Sequence, residues 1–236
     1  MARKLHVLIA CEESQVECAA FRRYGHIAYS CDIQNCQPGA QHEWHIHGDV
    51  TPYLRGKNVF RLSDGSTGRV PRWDLIIAHP PCTYLCKVSS CRMVINGELQ
   101  MGRYRNMMMA REFFFRCLNA FAPFVAVENP LPMARACLPP PSCYAQPFWF
   151  GSKWSKKTCY WLKNLPPLMP ELINPAHKEL VRCTRGKYRS RTDPYLADAI
   201  ARQWGNFVIQ QLIKLFDYAE ISYHWKSRCR CRVAQR

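Results

Sequence analysis

The sequence predicts a doubly wound α/β domain built on a mostly parallel sheet, and three observations predict it. Short apolar, β-rich runs alternate with stretches of helical periodicity along most of the chain. Polar and acidic residues stand directly after the first strand-like runs: Cys11-Glu12-Glu13-Ser14, then Asp32, then Asp49. The run Asp74-Leu75-Ile76-Ile77-Ala78 has the composition of a buried strand and passes straight into His79-Pro80-Pro81-Cys82. Strands that alternate with helices favour a parallel sheet covered on both faces.

The elements follow in order. Leu5 to Ala10 is a β-rich apolar run. Glu12 to Tyr24 has helical spacing, with Val16, Ala19, Ala20 and Phe21 inward, and stops at Gly25. Ile27 to Cys31 is a second strand ending at Asp32, and residues 36–47 are a polar, His-rich loop before Gly48-Asp49-Val50. Lys57 to Val70 has the pattern of a hairpin turning at Asp64-Gly65. After Cys82, residues 83–101 lack a long periodic pattern, which predicts a mobile loop. Arg103 to Phe121 is helical, and Phe124 to Val127 is a strand that ends in Glu128-Asn129-Pro130. Residues 130–147 are Pro-rich and irregular, Thr158 to Leu162 is a further strand, and 163–193 is basic and Pro-punctuated. Tyr195 to Tyr218 is helical with an expected interruption near Gly205, and the acid-free end of the chain predicts a frayed cationic tail over 223–236.

Composition bounds the function. At 236 residues and 48% hydrophobic content, the chain suits one fully cored domain. Lys and Arg total 33 against 17 Asp and Glu, a net charge of +16, which favours a polyanionic partner such as nucleic acid over a merely basic surface. No apolar run approaches the roughly 18 residues of a membrane span, so no membrane partner is expected. The chain enters its first strand directly, without a signal-peptide pattern. Fourteen cysteines without a C-x-x-C spacing predict neither a disulfide framework nor a structural zinc site. Cys11, Cys18, Cys31 and Cys117 fit small core positions, and the His42, His45 and His47 cluster near Cys36 lacks paired ligand spacing, so no metal is expected.

Chemistry concentrates at two strand ends. In an open α/β sheet, ligands sit beyond the carboxyl ends of the strands. Two prolines restrict the backbone that presents Cys82, and Glu128 ends another strand, so the two form a candidate pair for covalent catalysis. A structural thiol at 82 and a turn at 128–130 are the competing readings. Asp32 and Asp49, with the polar turn after the first strand, suit a nucleoside-type cofactor. No G-x-G-x-x-G follows the first strand, which favours a cofactor without phosphates, such as S-adenosylmethionine.

These motifs resemble the C5-cytosine DNA methyltransferases, and more closely short phage-type proteins that open with the same Ile9-Ala10-Cys11-Glu12-Glu13-Ser14-Gln15 run. The resemblance spans about Val7 to Val208. Pro81-Cys82 stands at the family's nucleophile, Glu128-Asn129 at its Glu-Asn-Val, and Gly205-Asn206-Phe207-Val208 at its closing Gly-Asn-x-Val. Phe150-Gly151 to Lys156 resembles the segment that ends in a basic pair. The sequence departs from the pattern in lacking Phe-x-Gly-x-Gly, in Thr83 after the nucleophile, in Pro130 for Val, and in a recognition segment of about thirty residues.

The resemblance implies a Rossmann-like sheet of the S-adenosylmethionine-dependent methyltransferase type with a minimal basic target-recognition segment. It implies one catalytic domain over 1–222, with recognition at 163–193 and a basic tail at 223–236. Cys82, Glu128 and Asn129 would be catalytic: a thiolate at 82 attacks C6 of cytosine, Glu128 shares a proton with N3, and Asn129 holds Glu128 or its loop. Cofactor contacts would come from Ala10, Cys11, Glu12, Glu13, Ser14, Asp32, Ile33, Asp49, Pro80 and Asn206. Lys156, Lys157, Arg182, Arg185, Lys187, Arg189 and Arg191 would hold DNA phosphates beside a flipped base. The setting implied is the cytoplasm of a bacterium or a phage-infected host. Exocyclic amino methylation, whose enzymes place an Asn/Asp/Ser-Pro-Pro-aromatic motif at the end of this strand, and a catalytically silent DNA-binding protein are the alternatives.

Overall fold

The computed structural model describes residues 3–172, 179–180 and 191–233, with side chains described as far as Leu215 except at 179–180. In chain order the elements are β1 (His6–Ala10), α1 (Val16–Arg23), β2 (Ile27–Asp32), β3 (His45–His47) and α2 (Thr51–Leu54). A hairpin, β4 (Val59–Arg61) and β5 (Thr67–Arg69), precedes β6 (Leu75–Ala78). A second hairpin, β7 (Val94–Ile95) and β8 (Glu98–Leu99), precedes α3 (Met101–Leu118) and β9 (Phe124–Pro130). Then come β10 (Cys143–Ala145), β11 (Trp154–Ser155), β12 (Thr158–Lys163), β13 (Glu179–Leu180) and α4 (Pro194–Val233).

The central sheet has seven strands among the described residues, in the order β10-β12-β9-β6-β1-β2-β3. Strands β3, β2, β1, β6 and β9 run parallel, and β12 is antiparallel to both of its neighbours. The fold is therefore mixed α/β with a mostly parallel sheet. Chain order reverses between β1 and β6, the switch point outside which open α/β sheets bind ligands.

Strand alternation divides the core into two layers. Leu8, Ala10, Ile76, Ala78, Val125 and Val127 pack on one face with Phe114 and Cys117 of α3. Val7, Ile9, Leu75, Ile77, Phe124 and Ala126 pack on the other face with Phe21 of α1 and Ile200 and Trp204 of α4. The central strands are apolar at every position because both faces are covered.

Several elements differ from the sequence expectation. Helix α1 starts at Val16, because the chain turns through Cys11 (φ 61°) and Gln15 (φ 57°) before it can coil. Its buried face carries Glu17 and Cys18, whereas Ala19 is exposed. Part of the His-rich loop is strand β3, which extends the sheet from β2. Residues 83–101 hold a 3-10 turn over Lys87–Arg92 and the β7–β8 hairpin in place of a long loop. The irregular 130–147 stretch contributes β10.

Helix α4 is not interrupted at Gly205 and continues to Val233, so the backbone of the expected frayed tail is helical over 223–233. Gly205 marks close packing: a Cβ there would lie 2.8 Å from His26 Nε2. Strand β9 runs through Glu128-Asn129-Pro130 because β12 pairs with it, opposing Tyr160 to Glu128 and Thr158 to Pro130. Beyond Val127 no β6 residue is paired to β9, so Pro130, which lacks an N–H, fits there.

Candidate active site

The carboxyl ends of β1, β6 and β9 lie side by side, since Ala10 pairs with Ala78 and Ala78 with Val127. The residue after β6 is His79, whose N–H donates to the Ala10 carbonyl at 2.9 Å. Glu128 follows Val127 on β9. The register of three parallel strands thus sets His79 beside Glu128 at the switch point.

Cys82 is held there by a second set of bonds. Its carbonyl accepts the N–H groups of Leu85 and Cys86, each at 3.0 Å, which makes a single helical turn after the two prolines. The far end of that turn is stitched to the chain after β9: Lys87 N–H donates to Leu131 O at 2.7 Å and Met133 N–H to Leu85 O at 2.8 Å. An isolated antiparallel bridge pairs Cys86 with Pro132. The Cys82 loop and the Glu128 strand are therefore one assembly, and Cys82 is half-buried within reach of the Glu128 charge.

The electrostatics of Cys82 differ from a free thiolate. Its contact with the Cys86 thiol, burial and the negative charge of Glu128 all raise its pKa, so the resting side chain is the thiol. Cys86 moves in the opposite direction, chiefly through the Cys82 contact and despite its burial, with Ser89 adding to the effect. Sequence reasoning missed Cys86, although the Cys82-x-x-x-Cys86 spacing is one helical turn.

Glu128 sits in a line of buried ionisable groups. His79 Nδ1 is 3.5 Å from Glu128 Oε2, and His79 Nε2 is 3.2 Å from Oε2 of Glu17, which is fully buried in α1. Thr192 donates its hydroxyl to Glu17 Oε1 at 2.8 Å. Tyr160, opposite Glu128 on β12, buries its hydroxyl in the same layer, where burial and the charges of Glu17 and Glu128 raise its pKa. Burial alone would lower His79, but the two carboxylates outweigh it and hold the imidazole protonated well above its usual range. Burial alone would raise Glu128, yet the His79 contact and the charge of Lys156 bring it below the usual carboxylate value. The Glu128 carboxyl is therefore ionised at rest rather than partly protonated.

Asn129 does not face Glu128. Strand alternation sends it to the opposite side of the sheet, where it is fully buried and its Nδ2 donates to the Pro130 carbonyl at 2.6 Å. It fixes the end of its own strand.

The residues expected to hold a cofactor divide into two groups. Ala10, Cys11, Glu12, Glu13, Ser14 and Pro80 gather at the β1 and β6 ends. Asp32 and Ile33 follow on β2, and Asp49 on β3. Glu12 is committed to the fold: its carboxylate accepts the N–H groups of Glu17 (2.7 Å) and Cys18 (3.2 Å) and so caps α1 from a distance. Glu13 accepts Gln37 Nε2 at 2.8 Å. Asp32 Oδ1 takes the Gln34 N–H at 2.7 Å, and Ile33 beside it is 74% exposed, a large apolar side chain left to solvent at a strand end. Asp49 is exposed and caps Thr51. Asn206 is not brought to this group. It lies exposed on α4 next to Gly205, which packs on His26, at the amino end of β2.

The basic residues are partly placed. Lys156, whose charge reaches Glu128, donates from its Nζ to the Arg191 carbonyl at 3.3 Å. Lys157 lies over the Tyr144 ring at 4.1 Å. Arg182, Arg185, Lys187 and Arg189 lie outside the described residues. Within the histidine cluster His42 Nδ1 contacts Cys36 Sγ (3.4 Å), His45 contacts Ser30 Oγ (2.8 Å) and Gln34 O (3.1 Å), and His47 contacts Ile33 O (3.0 Å). Among the described residues no group of three or more His, Cys, Asp or Glu side chains forms a metal-binding cluster, and no helix is long and apolar enough to cross a membrane.

Glu12 gives this site a signature in stability. Burial, then the Glu17 charge, raises its pKa from 4.5 to about 7. Its native state holds the proton more tightly than the unfolded chain does, so this contribution is complete below 4.5 and lost as pH rises to about 7. Urea unfolding near pH 5 and near pH 8 is expected to show wild type losing more stability between the two than Glu12→Gln, which cannot ionise. Equal losses would overturn this assignment.

No protein-family model matches the chain, and no curated protein matches it. Among solved structures it is similar to a DNA modification methyltransferase encoded within a prophage (E. coli), with 14% identity and a TM-score of 0.40 over 74% of this chain. The chain covers 53% of that protein, about half its length.

Proposed function

We propose that this chain is an S-adenosylmethionine-dependent DNA methyltransferase that modifies C5 of cytosine. The observation that carries the reading is the assembly of Cys82 and Glu128 at the switch point, fixed by the β6–β9 register and the Cys86–Pro132 bridge. A nucleophile and an acid that converge from separate strand ends suit a reaction in which C6 is attacked while N3 is neutralised. Cys82 and Cys86 share a proton, and Cys82 attacks when that proton rests on the Cys86 sulfur, while Glu128 faces the ring nitrogen. The base must leave the duplex to reach a half-buried thiol.

The residues present fit a nucleoside cofactor. Asp32 uses one carboxylate oxygen for Gln34, and the other suits ribose hydroxyls; exposed Ile33 suits an apolar ring face, and Asp49 the exocyclic amine. The turn at Cys11 to Gln15 offers backbone groups without needing glycines to cradle a phosphate. Bound there, the cofactor supplies an electrophilic methyl group. Asp32→Ala is expected to weaken S-adenosylmethionine binding at least tenfold in calorimetry, about 1.4 kcal/mol, and leave DNA affinity nearly unchanged. An unaltered cofactor affinity would assign Asp32 to its turn alone.

DNA as partner rests on the net charge of +16 and on Lys156, whose charge reaches Glu128 and which contacts Arg191, with Lys157, Arg185, Lys187 and Arg189 in the same basic part of the chain. We read 1–222 as the catalytic domain, 163–193 as a short recognition segment and 223–236 as a basic extension. Phosphate contacts position a protein but do not specify a sequence, so a short or relaxed target follows. The deciding experiment is incubation with labelled S-adenosylmethionine and DNA, followed by nucleoside mass spectrometry. 5-Methylcytosine supports the reading; N4-methylcytosine, N6-methyladenine or no transfer overturns it.

A further inference from the structure

The geometry points to His79 as the positioning residue that stores the proton Glu128 needs, with Glu17 as its buried counter-charge. The inference rests on the C5-cytosine reading and adds two residues to it, neither of which touches the base.

The need arises from charge. Attack of a sulfur anion at C6 pushes an electron pair toward N3, which must then take up a proton. A neutral carboxylic acid at 128 would supply one, but Glu128 is held as a carboxylate by His79 and Lys156. The proton is one contact away. His79 Nδ1 is 3.5 Å from Glu128 Oε2, and its other nitrogen is 3.2 Å from Glu17 Oε2. The side chains are 13% exposed for His79, 15% for Glu128 and 0% for Glu17, so water does not compete freely for that proton.

Glu17 turns one oxygen, Oε2, toward this imidazole. It is a fully buried acid on the apolar face of a short helix, where an unpaired charge is costly. Its second oxygen is tied to Thr192. The groups that face this line are Glu12 and Glu17 from the α1 side, Glu128 from β9, Tyr160 from β12, Lys156 and Thr192. Two carboxylates flanking one imidazole keep it charged at neutral pH, and the charge is lost only when the proton moves to one of them.

The step balances. With the proton of the thiol pair on Cys86, the Cys82 sulfur forms its bond to C6, and the displaced electron pair ends on N3. N3 takes a proton through the Glu128 carboxyl, which takes the Nδ1 proton of His79. The imidazole becomes neutral and the ring stays uncharged. When the sulfur leaves C6 after methylation, N3 returns that proton along the same path, and the C5 proton departs to water.

Two measurements on the full chain test this. The first is independent of activity: nitrogen-15 NMR of labelled histidines, with the His79 signal assigned by its loss in His79→Gln. In wild type the imidazole is expected to stay protonated well above pH 6.5, and Glu17→Gln and Glu128→Gln should each lower its midpoint. A neutral His79 at pH 7 in wild type overturns the proposal. The second is single-turnover methyl transfer across about pH 6 to 9. His79→Gln is expected to be at least about 100-fold slower, with a changed pH profile and unchanged cofactor and DNA affinity. A wild-type rate and profile in that variant overturns the proposal while leaving the C5 reading intact. If the wild-type chain forms no 5-methylcytosine, the C5 reading fails, and the proton store stands or falls on the titration alone. Should His79→Gln not fold because Glu17 is left buried and unpaired, the double variant Glu17→Gln/His79→Gln removes both charges and carries the same test.

Discussion

Cys82→Ser is expected to lower methyl transfer at least about 10³-fold, the scale on which loss of a covalent nucleophile acts. The change replaces one atom on a half-buried loop, and the loop is held by backbone bonds that do not involve the side chain: Leu85 and Cys86 to the Cys82 carbonyl, and Lys87 and Met133 to the chain after β9. The thermal transition should therefore stay where it is. A serine hydroxyl ionises at far higher pH than a thiol, so it is a far weaker nucleophile near neutral pH. Duplex DNA carrying 5-fluorocytosine provides the second readout. Wild type should form an adduct that survives denaturing electrophoresis, and the serine variant should not. A variant that keeps full activity would remove covalent catalysis from this site, whatever product is formed.

The largest effect on stability is expected at Trp204. It is completely buried on α4, its Nε1 donates to the Pro166 carbonyl at 3.0 Å, and its ring meets Tyr160 edge-on with centroids 5.5 Å apart. Trp204 thus joins α4 to the antiparallel strand that pairs with the Glu128 strand. Truncation to alanine leaves a cavity and an unpaired carbonyl, a loss of about 3–5 kcal/mol for a buried aromatic. Urea unfolding of Trp204→Ala against wild type measures it, and Trp204→Phe, which keeps a ring, should lose less. A loss below about 1 kcal/mol would mean that α4 is not anchored through this residue.

How much of the site was legible in the sequence depends on what kind of information each residue needs. Cys82 and Glu128 were visible because each follows an apolar run, and the carboxyl ends of buried strands are where a sheet of this class exposes chemistry. Asp32 and Asp49 were visible for the same reason. His79 was in plain view beside Cys82, but nothing local says that its ring lies between two acids. Glu17 was hidden within a helix pattern that placed Ala19 inward: an acid counts as a surface residue until a buried cation is found for it. Asn206 carried a motif resemblance, yet α4 leaves it exposed beside the amino end of β2. Glu12 stood among the expected cofactor contacts, whereas its oxygens accept the first amides of α1.

The sequence by itself determined the alternation of strands and helices, the two covered faces of the central strands, the basic balance of charge and the strand ends at which reactive side chains stand. These follow from residue type and from periodicities of 2 and 3.6, which act over a few neighbours. Only the tertiary structure decided that β9 extends through Pro130, that Glu128 is ionised and that His79 carries a proton between Glu17 and Glu128. Each of these depends on groups from different elements brought within about 4 Å, where burial strips water away and one charge sets the state of the next. That information lies in strand register and packing, which no local window of the chain contains.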